Sequence, residues 1–226
     1  MSQTKTAVLF TGNIHPEYFN EFIECASNIK EMKFASIWND VPGEYIQKLS
    51  ENNFIIITNN VFYQRYYTPQ FIPIVNALEF IHKNYPDIHF VLRTRFDILS
   101  YDYSKYLEKT KHLYTDKITV IAGVQTDKVY FLQIMECGNI NDMRKMYALQ
   151  DINDTRYYEK FLMETYSGKT NLTKEEIKEI FHFSLNICIE HNIEFIWIRS
   201  EGWKNSLRTI PRMKVIQEYC KDSFIW

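Results

Sequence analysis

Glycine and proline are scarce in this chain of 226 residues, with six of each. So few breakers exclude a collagen-like repeat, a Gly/Pro-rich linker or a large structureless region. Cysteine is scarcer still. Cys25, Cys137, Cys188 and Cys220 stand far apart, which excludes a zinc ribbon and a CxxC redox motif and suits thiols in a reducing compartment. No stretch approaches the ~18 consecutive apolar residues of a membrane span. The polar Met1–Thr6 leads into an apolar run too short for a signal peptide. Net charge is only −2, and the lack of a basic excess to neutralise phosphates argues against a general nucleic-acid binder while leaving room for a local basic cleft. There is no HxxxH pair for zinc, no GxGxxG after the first apolar run and no GxSxG elbow. Ser167-Gly168-Lys169-Thr170 has the look of a phosphate-loop ending, but Met163 occupies the position that requires glycine. These absences leave a cytoplasmic protein, read as a single domain over residues 1–226.

What is present is a sizeable core and an alternating pattern. Hydrophobic residues make up 46% of the chain, enough to bury a large interior. The first half alternates strand and helix signals. Short apolar runs at 7–10, 34–37, 54–58 and 88–92 predict strands. Between them lie helical patterns on Tyr18, Phe19, Phe22, Ile23, Ala26 and Ile29, on Tyr45, Ile46 and Leu49, and over residues 69–84. This β-α-β-α-β-α-β order predicts an α/β fold, a mostly parallel sheet flanked by helices. The second half is less regular. Strands are expected near 117–122, 129–135 and 193–198, and helices over 141–150, 155–166 and from Met213. One long helix over 173–191 is expected, opened by a Thr173/Glu176 capping box.

In a parallel α/β sheet, ligands bind beyond the carboxyl ends of the strands. Four such ends carry polar residues: Thr11-Gly12-Asn13, Trp38-Asn39-Asp40, Asn59-Asn60 and Arg93-Thr94-Arg95-Phe96-Asp97. The last is the most informative. A buried strand abruptly becomes charged, and alternation would place Arg93, Arg95 and Asp97 on one face. Three such charges need each other, a metal or a charged ligand. Two readings follow from spacing: an Arg–Asp ion pair closing the sheet edge, or a diphosphate site in which a carboxylate-held metal or the guanidinium groups neutralise the leaving group.

Taken in order, Phe10-Thr11-Gly12-Asn13, Ser36-Ile37-Trp38-Asn39-Asp40, Ile57-Thr58-Asn59 and Arg93-Thr94-Arg95-Phe96-Asp97 resemble the WavE-type family of lipopolysaccharide and capsule glycosyltransferases. Tyr158-Glu159-Lys160-Phe161-Leu162 is similar to a later family segment, and the likeness spans roughly residues 7 to 166. Arg93 replaces the family's first lysine. Gln133 stands where an acidic residue is expected.

The resemblance implies a GT-A-like fold with a nucleotide-sugar-binding half over 1–100 and an acceptor-side half over 101–226. It implies a nucleoside-diphosphate sugar donor, a glycan or lipid-linked glycan acceptor with peripheral membrane contact, and a divalent metal (Mn or Mg) at Asp97. In GT-A enzymes an Asp-x-Asp occupies the place of Arg95-Phe96-Asp97, so here arginine replaces the first carboxylate. By the same resemblance Thr11, Gly12 and Asn13 approach the nucleotide, Trp38 frames the base, Asp40 bonds base or ribose, and Asn59 and Gln64 reach the nucleotide. Arg93 and Arg95 neutralise the diphosphate.

For the acceptor base the candidates are Glu159, Asp142, Asp151 and Asp154, with Glu159 preferred because it opens an apolar helical stretch and matches the family segment. Asp142 also suits a helix cap. The polar segment from Ser200 to Arg208 has the composition of a closing loop or an ordinary surface loop, and Arg208, Arg212 and Lys214 are further candidates for phosphate contact. Two further readings remain open. One is a domain of this fold that binds a nucleotide or glycan without turnover, favoured by the arginine at position 95. The other is a nucleotidyltransferase, disfavoured because the loop after the first strand is short and uncharged.

Overall fold

The computed structural model describes residues 5–60, 68–125, 128–148, 158–169, 172–198 and 208–209. Chain order begins β1 (Lys5–Thr11), a single 3-10 turn (Pro16–Tyr18), α1 (Phe19–Ser27), β2 (Met32–Trp38), α2 (Gly43–Glu51), β3 (Phe54–Asn59), α3 (Thr68–Asn84) and β4 (Ile88–Arg95). The sequence pattern of the first half is therefore realised element by element. It continues with β5 (Ile98–Leu99), α4 (Tyr103–Leu113), β6 (Ile118–Gln125), β7 (Lys128–Asn139), α5 (Ile140–Met146) and α6 (Tyr158–Ser167). Then come α7 (Lys174–Ile180), β8 (Phe181–Phe183), α8 (Ser184–Glu190), β9 (Ile196–Trp197) and β10 (Arg208–Thr209).

Seven strands form one sheet in the order β3-β2-β1-β4-β7-β6-β8. Pairing is parallel throughout except at β7, which runs against both β4 and β6. The chain moves from β1 outward to β2 and β3, then jumps back across β1 to β4. Right-handed crossovers taken in opposite directions put their helices on opposite faces. Accordingly α1 and α2 pack on one face with α4 and α8, around Phe10, Phe22, Phe54, Phe96 and Tyr103. Helix α3 packs on the other face with α5, α6 and α7, around Leu9, Phe34, Leu78 and Met143.

Much of the aromatic content is spent in the first of these layers. Phe10 meets Phe22 edge-on at 4.9 Å and Tyr103 at 5.3 Å, and Phe22 meets Phe96 at 5.1 Å. Such geometry adds about 0.5–1.5 kcal/mol per pair beyond burial. The two tyrosines buried in this layer keep their hydroxyls satisfied: Tyr103 donates to the Ile98 carbonyl, and Tyr106 shares a 3.0 Å bond with Thr119. Cys25, Cys137 and Cys188 are buried free thiols.

The expected long helix over 173–191 is not continuous. The Thr173/Glu176 capping box forms and opens α7, but residues 181–183 extend and pair in parallel with β6, Ile118 beside Phe181 and Val120 beside Phe183. Phe181 and Phe183 point into the core while His182, between them, stacks on Tyr114 at 4.1 Å. Pairing the outer edge of β6 and burying two phenylalanines outweighs helical periodicity here. The expected strand near 193–198 is reduced to Ile196–Trp197, and α4 and β5 were not anticipated. The helix expected from Met213 lies outside the described residues. Among those described, no helix is long and apolar enough to cross a membrane.

Candidate functional site

The reversal of strand order lies between β1 and β4, which is the topological switch point where α/β sheets place ligands. Strand β1 ends at Thr11, whose register partners are Ser36 on β2 and Arg95 on β4. Polar residues from five adjacent strands meet here on the α3 side of the sheet. Two tiers can be separated by burial.

The lower tier is sealed. Arg93 is 3% exposed and Glu136, its register partner on β7, is 1% exposed. Arg93 Nη1 donates to Glu136 Oε2 at 3.1 Å, while Nε and Nη2 both donate to Thr11 Oγ1 at 2.9 and 2.7 Å. Burial pushes the Glu136 carboxyl above its ordinary value, and the neighbouring Arg93 guanidinium opposes that rise. Further along, Ser36 Oγ donates to the Pro73 carbonyl of α3 at 2.6 Å. The Asn59 amide donates to Ser36 Oγ at 3.0 Å and to the Ile37 carbonyl at 2.8 Å, and its oxygen accepts from Asn76 at 2.9 Å. Arg93, Glu136, Thr11, Ser36 and Asn59 thus find partners within the tier, as burial in a low dielectric demands.

The upper tier reaches solvent. The chain leaves β4 at Arg95 and turns, and the Phe96 amide donates to the Thr11 carbonyl at 3.2 Å. The turn brings Asp97 back onto Arg95, in a forked pair: Nε to Oδ1 at 2.8 Å and Nη2 to Oδ2 at 2.7 Å. Arg95 is 31% exposed while Asp97 is only 4% exposed. The Trp197 indole of β9 donates to Asp97 Oδ2 at 3.3 Å, and the Ile198 amide donates to the Asp97 carbonyl at 2.8 Å. Beside this group stands Gly12 at φ +95°, a conformation open to glycine and strained for other residues. A Cβ there would sit 3.9 Å from Arg95 Cγ.

The structure therefore brings together Thr11, Gly12, Arg93, Arg95 and Asp97. Asn13 is exposed at the mouth of the same turn, and Trp38 is half-buried at the end of β2. Asp40 is exposed in the turn beyond it. Asn59 belongs to the sealed tier. Asp142 lies in the first turn of α5, whose cap is Asn139, accepting from the Asn141 amide. Glu159 falls within α6 and Arg208 within β10, but their side chains, like that of Gln133, are outside the described residues, as are Gln64, Asp151, Asp154, Arg212 and Lys214 wholly.

The described side chains do not fit a divalent metal at Asp97. Both of its oxygens already accept from Arg95, and Oδ2 also accepts from Trp197, so a cation there would share engaged oxygens and lie beside a guanidinium charge. No group of three or more His, Cys, Asp or Glu able to hold a metal occurs among the described residues.

Two contributors escaped sequence reasoning. Glu136 was foreshadowed only by a lone carboxylate inside an otherwise apolar strand, the kind of residue that must be paired when buried. Trp197 gave no signal beyond being an aromatic near a strand end.

No family model and no curated protein matches the chain, so the family resemblance stands on the motifs alone. Among solved structures the chain is similar to 4-diphosphocytidyl-2C-methyl-D-erythritolsynthase from Anaerococcus prevotii DSM 20548. That match has 12% identity over 79% of this chain and 85% of that one, with a TM-score of 0.46. It is also similar to a glycosyltransferase involved in the glycosylation of the major capsid of PBCV-1. There the identity is 8% over 80% of this chain and 81% of that one, with a TM-score of 0.44. Likeness at this level carries no argument about what the chain binds or does.

Proposed function

We propose that the chain is a GT-A-type glycosyltransferase that moves a sugar from a nucleoside-diphosphate sugar to a surface-glycan acceptor. One observation carries the reading. Thr11, Gly12 and Arg95 converge at the switch point of a parallel sheet, with a guanidinium partly open to solvent beside a glycine turn. Gly12 lets the backbone approach a nucleotide, and Asn13 offers polar groups at the same mouth. Trp38 frames the base, and Asp40, exposed beyond it, bonds base or ribose. Arg95 faces the diphosphate, while Arg93 supports Thr11 from below and Asn59 steadies the strand ends. Asp97 orders Arg95. Glu159 is the base that takes the acceptor's proton.

Residues 1–100 would then serve the donor and 101–226 the acceptor, a glycan or lipid-linked glycan met at a membrane surface from the cytoplasm. The test is thermal unfolding against UDP, GDP, CDP and dTDP. A ligand at 100 times its Kd adds about 2.7 kcal/mol, which raises Tm by roughly 5–10 °C at this size. Stabilisation by one nucleotide is the expected result and names the donor's base. No shift with any nucleotide overturns the reading.

A second reading has its own support. The arginine at position 95 and the full engagement of Asp97 favour a domain of the same fold that binds a nucleotide or glycan without turnover. Nucleotide binding with no hydrolysis or transfer from any nucleotide sugar would select it.

A further inference from the structure

We infer that an oxyanion in this site, a diphosphate by chemical class, is held by the outward edge of the Arg95 guanidinium, and that Asp97 and Trp197 rather than a divalent cation fix that edge in place. The inference rests on the donor-site reading above and assigns its charge contact. A guanidinium carries five N–H donors in a rigid fork. Arg95 uses Nε and one Nη2 hydrogen on Asp97. The two Nη1 hydrogens and the second Nη2 hydrogen have no protein acceptor among the described residues. They form the far edge of the fork, the side that can grip a second oxyanion with two parallel bonds.

Burial divides the work between the two arginines. Arg93 is 3% exposed and committed to Thr11 and Glu136, whereas Arg95 is 31% exposed. Asp97 is buried at 4% and is fixed from three directions: by the fork of Arg95, by the Trp197 indole at 3.3 Å and by the backbone bond from Ile198 to its carbonyl. Its carboxylate therefore acts as an anchor that orients Arg95. Asp97 and Trp197 are positioning residues in this arrangement. The charges of the two arginines are cancelled by Glu136 and Asp97. Affinity then comes from directed donors on one guanidinium rather than from net positive charge, and an added cation is not required to create it.

The test is titration calorimetry of the full chain with inorganic pyrophosphate and, separately, with UDP, GDP, CDP and dTDP, each in EDTA and in Mn²⁺. Binding of pyrophosphate in EDTA is expected. Arg95→Lys retains a cation to satisfy Asp97 but has no second edge, and should weaken binding about 10- to 100-fold, the loss of one or two charge-assisted bonds. The double variant Arg95→Met/Asp97→Leu removes the pair together, guards against misfolding and should weaken binding by at least as much. Trp197→Phe should weaken pyrophosphate binding several-fold in EDTA with no rescue by Mn²⁺. Binding that requires Mn²⁺, binding unchanged in Arg95→Lys, or no pyrophosphate binding overturns the inference. If nucleotides bind only with Mn²⁺, the transferase reading stands and this inference falls. If pyrophosphate binds through Arg95 and no nucleotide does, the inference stands and the transferase reading falls.

Discussion

Arg93 and Glu136 face each other from neighbouring antiparallel strands, Nη1 to Oε2 3.1 Å apart, with 3% and 1% of their side chains exposed. A buried pair of this kind adds little net stability, because desolvating both charges consumes most of the attraction, but removing one partner strands the other. Arg93→Met is therefore expected to cost about 3–5 kcal/mol, read from urea unfolding midpoints. Arg93→Met/Glu136→Leu should recover most of that loss. If the double variant is as unstable as the single one, the Thr11 contacts of Arg93 carry the stability instead.

The same pair predicts a pH dependence. Burial already raises the Glu136 carboxyl above its usual 4.5, with Arg93 opposing. Without Arg93 the rise is larger. A carboxyl raised by folding is protonated more readily in the native state, so its contribution is intact below the unfolded value. That contribution is lost as pH climbs through the native one. The stability deficit of Arg93→Met relative to wild type should accordingly be larger at pH 8 than at pH 5. Equal deficits at the two pH values would mean that the carboxyl does not take up its proton when stranded.

Asn59 separates structural from ligand-binding roles. Its amide bonds Ser36 Oγ and the Ile37 carbonyl, and its oxygen accepts from Asn76. Asn59→Ala leaves the Asn76 amide and the Ile37 carbonyl with a lost partner, at a cost of about 1–3 kcal/mol. Nucleotide affinity, corrected for stability, should change little if Asn59 only steadies the strand ends. A loss of affinity of tenfold or more without loss of stability would place the amide on the ligand.

The fold of the first half was legible because its central strands are buried on both faces and read as short continuous apolar runs, while the helices between them bury one face and show a period of 3.6. The charged end of β4 was legible for a related reason: Arg93, Arg95 and Asp97 interrupt a buried strand. Glu136 was not, because its partner lies 43 residues earlier and only the register of β4 on β7 joins them. Trp197 is joined to Asp97 across 100 residues in the same way. Residues 173–191 were misread because their apolar spacing satisfies a helix, while the sheet edge that captures Phe181–Phe183 is built from residues far away. Released from β6, the segment should return to its local preference. A peptide of residues 172–192 is expected to give one continuous helix by circular dichroism in trifluoroethanol, and by NMR shifts across 180–184. Helical shifts on both sides with an extended break at 181–183 would show that the interruption is local in origin.

Two glycines distinguish a steric need from a conformational one, and so provide a control for each other. Gly138 has ordinary backbone angles, but a Cβ there would lie 2.9 Å from Ile118 Cγ1 and 3.3 Å from Ile118 Cα. The second contact is with backbone, so β6 and β7 would have to separate, and Gly138→Ala should cost about 1–3 kcal/mol as overpacking. Gly12 has room: the nearest atom to its added Cβ is Arg95 Cγ at 3.9 Å, an ordinary contact. Its difficulty is φ +95°, which should cost Gly12→Ala about 1–3 kcal/mol of backbone strain. The two variants are therefore expected to lose similar stability by thermal unfolding. Only Gly12→Ala should also lose anion affinity, because strain relieved at the turn moves the backbone beside Arg95. Equal affinity loss in both would mean that binding tracks global stability and not the geometry of the β1 turn.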